Sequence, residues 1–243
     1  MNASPADQRR LLEVAELDAR IRQAEHARKN PPQAARIQEL VGRRNELSHE
    51  LSGRLGARDD LRAELARIES DVAVVDARSA RDADRLAHTS NSKEAQGLES
   101  EIASLARRKS DLEDGELELM ERLEQADASV AAQEALISET NAEGSTLSAE
   151  AKRVIAEATA AFDGATRDRA AIADKIAPEL VALYDRLAAR GVGAGLLTRG
   201  TCGGCNMVLS GTDMQKIRQS AADAVLNCPE CGGILVRTEE SGL

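Results

Sequence analysis

A seven-residue repeat of aliphatic residues runs through the first two-thirds of the chain and constrains its fold more than any other feature. With Ile37 as an a position, the a/d sites continue through Leu40, Arg44, Leu47, Leu51, Arg54, Arg58, Leu61, Leu65, Ile68, Val72, Val75, Ser79, Asp82 and Leu86. Ten of these fifteen sites are aliphatic in an otherwise polar stretch, so the repeat marks a coiled-coil seam. A second seam begins at Leu98 and keeps one register through Ile102, Leu105, Lys109, Leu112, Glu116, Leu119, Leu123, Ala126, Val130, Gln133, Ile137, Thr140, Gly144, Leu147, Ala151 and Val154.

Between the seams lies His88-Thr89-Ser90-Asn91-Ser92-Lys93, rich in turn and N-cap residues. Two matched seams around a short polar turn predict an antiparallel helical hairpin. Folding the chain at residue 92 sets Ile37 opposite Leu147 and Leu65 opposite Leu119, and brings the segment holding Leu11, Leu12, Val14, Leu17 and Ile21 beside residues 160 to 175. Pro31-Pro32 must interrupt the first arm, because proline donates no helix hydrogen bond. An arm of roughly 80 residues, at ~1.5 Å per residue, would extend on the order of 120 Å. Arg44, Arg54, Arg58, Lys109 and Glu116 fall on the seam, which makes the pairing specific in register but modest in stability.

The expected fold class is mainly α: a long antiparallel coiled-coil hairpin followed by a small C-terminal β ribbon. The expected division is an elongated hairpin over 1–190 and a ribbon over 196–243. Within the hairpin we expect a short helix at about 5–29, a long helix at about 33–88 and a turn at about 89–93. A second long helix at about 94–176 and a short helix at 178–190 opening on Pro178 follow. Gly191, Gly193 and Gly195 read as the linker between the two parts.

The ribbon carries the chemistry. Cys202-Gly-Gly-Cys205 and Cys228-Pro-Glu-Cys231 stand twenty-two residues apart, and the chain has no other cysteine. Each C-x2-C lets one tight turn present two sulfurs to one ion, and two such turns complete a tetrahedron. A lone pair of this kind is often a redox motif, and four cysteines can also form two disulfides. The clustering of all four in one short segment, without a βαβ context, favours one Zn2+, with iron the main metal alternative. Four thiolates leave no open position, so the ion is expected to be structural. His26, His49 and His88 lie on the hairpin and read as surface residues. Asn206 to Leu209 and Ile234 to Arg237 read as short strands, with Thr212 capping a helical turn through Met214, Ile217 and Arg218.

No phosphate-binding glycine loop, metalloprotease motif or nucleophile–base pair is present in the sequence, so an enzyme is not expected. Nothing reaches the ~18 apolar residues of a membrane span, and a cytoplasmic protein is the expectation.

Together, the hairpin and the ribbon resemble a bacterial C4-type zinc-ribbon family formerly catalogued as a domain of unknown function. The resemblance spans nearly the whole chain. It rests on the turn Asn91-Ser92-Lys93-Glu94-Ala95-Gln96-Gly97-Leu98 with Glu101-Ile102, and on the two knuckles, which carry the ligand role to Cys202, Cys205, Cys228 and Cys231. Ala95 stands where an aromatic residue is expected, and Gly233 where an arginine is common. The resemblance implies an adaptor-like regulator that touches the transcription machinery or RNA.

The net charge of -10 disfavours nucleic acid as the main partner. Residues 195 to 243 hold four basic and five acidic side chains and no aromatic residue for base stacking. A protein partner therefore ranks above nucleic acid. The candidate partner-binding residues are Asn91, Lys93 and Glu94 at the turn and Arg199, Lys216, Arg218 and Arg237 in the ribbon. Two alternatives are a polymerase secondary-channel factor, whose hairpin tip would act through Asp82, Asp84 and Glu94, and a self-associating architectural spacer.

Overall fold

A computed structural model describes all 243 residues. By compactness the chain divides into two units, one of residues 35–148 and one that joins 1–34 to 149–243. This differs from the division by chain order, because the N-terminal helix packs with the ribbon.

The first unit is the hairpin. Its arms belong to α2 (Ala34–His88) and α3 (Ser92–Ala173). Leu40 and Leu47 on one arm and Leu98, Leu105, Leu112, Leu119 and Val130 on the other are buried, all at predicted seam positions. The register follows the fold at residue 92: Ile68 Cδ1 lies 3.5 Å from where a Cβ on Gly115 would sit, and Lys109 bonds Asp76 at 2.8 Å. The charged seam residues reach across to partners. Arg54 donates to Ser129 Oγ at 2.7 Å, and Arg58 approaches Asp127 at 3.9 Å. Gln133 is fully buried, donating to Leu47 O at 2.9 Å and Glu50 Oε2 at 3.0 Å.

In the second unit, α1 (Pro5–Lys29) starts on Ser4, whose hydroxyl accepts from the Asp7 N–H, and ends before the two prolines. Alongside it run the end of α3 and then α4 (Pro178–Ala188). Arg28 lies 4.6 Å over the Phe162 ring, and Arg10 donates to Lys175 O, as the predicted pairing requires. A four-stranded sheet follows, built from β1 (Ala194–Thr198), β2 (Thr201–Cys202), β3 (Leu226–Asn227) and β4 (Ile234–Val236) in the order β2-β1-β4-β3. The β1–β4 pair is parallel and the outer pairs are antiparallel. Helix α5 (Gly211–Gln219) lies between β2 and β3 in sequence.

Strand alternation gives the sheet two jobs. Ala194, Ile234 and Val236 join Leu11, Val14, Ile176, Leu180 and Tyr184 in a core shared with α1 and α4. Leu197 and Leu235 point the other way, into a second core with Cys202, Cys228, Leu209 and Ile217. The same strands thus anchor the ribbon and carry its metal side.

Three local expectations are corrected. Of the flexible or tightly turned linker expected at Gly191, Gly193 and Gly195, the flexible form is excluded: Gly195 lies within β1, and Gly193 is packed so closely that a Cβ there would sit 2.5 Å from the Tyr184 ring. Asn206 to Leu209 is not a strand, because the first knuckle turns the chain and leaves only Val208 bridged to Thr201. Helix α5 is capped by Ser210, whose Oγ accepts from the Asp213 N–H at 3.1 Å, and not by Thr212. No helix is long and apolar enough to cross a membrane.

Candidate metal centre

The two knuckles share one backbone design. In the first, the Cys202 carbonyl accepts from Asn206 N–H at 2.7 Å and Cys202 N–H donates to Met207 O at 3.0 Å. In the second, Cys228 O accepts from Gly232 N–H at 2.9 Å and Cys228 N–H donates to Gly233 O at 2.8 Å. The residue after each second cysteine takes a left-handed conformation, Asn206 at φ 60° and Gly232 at φ 74°. Asparagine and glycine are the residues that tolerate this best, which explains their placement.

Four sulfurs result, all within 4.8 Å of one another, and the Cys205–Cys228 separation is 3.9 Å. Tetrahedral ligands at ~2.3 Å from zinc would be about 3.8 Å apart. A disulfide would need ~2.05 Å, and all four thiols are free. The cysteines therefore fit one Zn2+ in a closed, all-sulfur shell.

The environment of the thiols is mixed. Burial pushes Cys231 up to about 12 and raises Cys202 as well. The Met207 N–H directed at Cys205 holds that thiol below its usual value. Cys202, Cys205, Cys228 and Cys231 would hold a zinc ion, whose positive charge would favour the deprotonated sulfurs and tie the two knuckles together. Backbone clearance is small on this side: a Cβ on Gly195 would fall 2.4 Å from Gly204 N, and one on Gly233 would fall 2.7 Å from Val192 O.

The chain matches the model of the CT398-like coiled coil hairpin domain over residues 14–192 and that of the C4-type zinc ribbon domain over 201–235. The chain belongs to the CT398-like coiled-coil hairpin family, with a C4 zinc ribbon. An uncharacterized protein of Mycobacterium tuberculosis is 34% identical over 245 residues, covering 98% of each chain. A solved structure from Mycobacterium smegmatis is similar at 31% identity with a TM-score of 0.81, covering 98% of this chain and 100% of that one. CT398 from Chlamydia trachomatis shares the fold at 18% identity and a TM-score of 0.59, covering 96% and 98% of the two chains.

The C4-type zinc ribbon match spans Cys202, Cys205, Cys228 and Cys231, and these four converge. The three histidines take no part, and His88 Nδ1 instead lies 2.8 Å from the Asp84 carbonyl.

The other candidate residues divide. At the turn, Asn91 Oδ1 accepts from the Lys93 and Glu94 N–H groups, so Asn91 serves as the cap of α3. Glu94 accepts from Thr89 Oγ1 at 2.9 Å and lies 3.5 Å from Arg85, while Lys93 is exposed. Asp82 sits between Arg78 and Arg85, each 3.9 Å away.

In the ribbon, Arg199, Lys216 and Arg218 are exposed. Arg237 is turned inward: its guanidinium donates to the carbonyls of Ile217, Ser220, Ala221, Ala222 and Ala224 at 2.6–3.4 Å. Five backbone acceptors occupy the donors that a partner would need. Arg237 therefore acts as a clasp for the end of α5 and the turn after it.

Sequence reasoning missed Asp18, Arg169 and Tyr184, which form one half-buried polar cluster. Their spacing along the chain gives no local signal. The lone tyrosine of a chain without tryptophan was the available hint.

Proposed function

We propose that this protein is a non-enzymatic adaptor, in which the zinc ribbon and the hairpin each present a recognition surface to protein partners. The observation that carries this reading lies in the first knuckle. Its sulfurs turn inward to the closed site, while Met207 and Val208 turn outward, 51% and 74% exposed. A metal shell of four thiolates has no position for substrate, and an exposed apolar pair on a metal-stiffened turn is suited to burial against another protein. Leu209 N–H bonds the Gly200 carbonyl, which sets this pair beside the exposed Arg199. Lys216 and Arg218 extend the polar surface along α5, and Lys93 plays the corresponding part at the hairpin turn.

Protein ranks above nucleic acid as the partner of the ribbon, and the capture of Arg237 by backbone carbonyls removes one of its few cations from that use. A link to transcription or to RNA-level regulation remains the role that the family resemblance suggests. The secondary-channel reading loses support from Asp82 and Glu94, whose charges face arginines at 3.5–3.9 Å.

The test uses the full-length zinc-loaded chain as bait in a native lysate, with and without nuclease, beside Met207→Ser/Val208→Ser and Lys93→Ala variants. A truncation at 190 is unsuitable, because Ile234 and Val236 complete the core of α1 and α4. The reading expects nuclease-resistant protein capture that the knuckle variant reduces at least about fivefold. Capture abolished by nuclease would contradict it.

A further inference from the structure

The net charge of the chain is concentrated in one stretch of the hairpin. Residues 57–73 of α2 and 111–127 of α3, which face each other in the register above, hold thirteen acidic and four basic side chains. Their net charge is -9, against -10 for all 243 residues. This charge surrounds the most exposed large apolar residues of α3, Leu117 at 61% and Met120 at 50%.

These two line a groove of about 520 Å³ with Leu65 and Leu123, rimmed by Glu121, Glu124 and Asp127. Asp127 is engaged by Arg62 at 3.1 Å and by Arg58 at 3.9 Å. Glu121 and Glu124 have no such ion pair. Their positions follow Leu117 by one and two helical turns, so they border the apolar pair along one face of α3.

An exposed leucine and methionine in a field of uncompensated carboxylates are matched by a ligand that carries the opposite pattern. We infer that the Leu117–Met120 groove docks a basic amphipathic helix of a partner protein, with apolar side chains over Leu117 and Met120 and Lys or Arg over Glu121 and Glu124. Methionine suits this role because its unbranched, polarizable side chain adapts to varied apolar surfaces. A helix laid in the groove buries apolar area on both sides, and the acidic field speeds its approach. Nucleic acid is repelled by the same field. The inference rests on the adaptor reading and names the partner class for the hairpin.

The experiment measures fluorescence anisotropy of a labelled amphipathic Lys/Leu helix peptide with the zinc-loaded full chain. A peptide of identical composition with the order scrambled to remove amphipathicity serves as control. The expected result is at least about tenfold tighter binding of the amphipathic peptide, weakened fivefold or more by Leu117→Ser/Met120→Ser. Glu121→Gln/Glu124→Gln should reduce both the affinity and its salt dependence, and Glu13→Gln/Glu16→Gln on α1 should leave both unchanged. All these sites are exposed, and circular dichroism confirms that each variant keeps its helix content.

Equal binding of the two peptides, or equal losses from the α1 and α3 variants, would show charge attraction alone and overturn the inference. If the Leu117→Ser/Met120→Ser variant instead changes only the sedimentation coefficient of the free protein, the occupant is a second copy and the inference is also overturned. Protein capture from lysate that persists at the wild-type level in this variant would retain the adaptor reading while removing this groove.

Discussion

Tyr184 donates its phenolic hydrogen to Asp18 Oδ2 at 2.7 Å, joining α4 to α1 at a point where both side chains are largely enclosed. Asp18 also accepts from Arg169 Nε at 2.5 Å, and the far side of that guanidinium bonds Asp185 at 2.5 Å. Three helices are thereby tied through one carboxylate. The Tyr184 ring rests against Gly193, immediately before β1, so the cluster also locates the strand that leads into the first knuckle.

Removing one member should cost in proportion to the bonds it makes. Tyr184→Phe is expected to lower stability by about 1 kcal/mol, and Asp18→Ala by about 2–3 kcal/mol because it removes the partner of both Arg169 Nε and the phenol, leaving Arg169 only its bond to Asp185. Urea unfolding monitored by circular dichroism checks the order. Equal losses in the two variants would contradict it.

The same bond has a pH signature. Burial, reinforced by the Asp18 hydrogen bond, raises the Tyr184 pKa in the folded state. The folded chain then holds a proton that the unfolded chain loses above about pH 10. The contribution is complete below that value and declines as pH rises, by about 1.4 kcal/mol per unit. The stability advantage of wild type over Tyr184→Phe should be full at pH 8 and gone by pH 11.

Glycines provide an internal contrast. Gly42 and Gly53 lie within α2, and a Cβ at either meets nothing within 4 Å. Alanine at each should stabilise the hairpin by about 0.5–1 kcal/mol through helix propensity. Gly195→Ala should instead prevent ribbon closure, since its Cβ would fall 2.4 Å from a backbone nitrogen of the first knuckle. Thermal melting and zinc content of the purified variants distinguish the two outcomes.

The periodic parts of the structure were legible in the sequence, and the reason is physical. A heptad repeat states both the helix and the face it buries, so Leu47, Leu105 and Leu119 are enclosed where the register puts them. The cysteine spacing likewise states a turn, a ligand pair and a metal. Contacts formed between distant segments were not legible. Asn2 bridges to Ala224 and Ala3 N–H bonds Asp223 O, which brings the N-terminus to the ribbon with no local pattern to announce it. β1 was hidden among glycines that signal flexibility, and Gly193 and Gly195 are there because Tyr184 and Gly204 leave no room for a side chain. Arg237 read as an exposed cation because composition cannot show five carbonyls converging on it.

Gln133 is a polar residue enclosed on the hairpin seam. Replacing it with leucine should raise the melting midpoint of the hairpin, since the Leu47 carbonyl keeps its helix bond and apolar area is gained. It should also broaden the distribution of distances between spin labels placed at residues 43 and 141, because the one buried polar bond that marks the register is gone. An unchanged distribution would show that the charged pairs alone set the register.

The central claim is that four cysteines enclose one structural zinc ion. Protons compete for the thiolates, so zinc should be released as pH falls below neutrality and retained above it. The most direct measurement is X-ray absorption at the zinc edge, with metal content determined on the same purified full-length sample. The account predicts one zinc per chain, a single shell of four sulfurs at ~2.3 Å and no oxygen or nitrogen ligand. A mixed shell, iron in place of zinc, or two disulfides in the purified protein would contradict it.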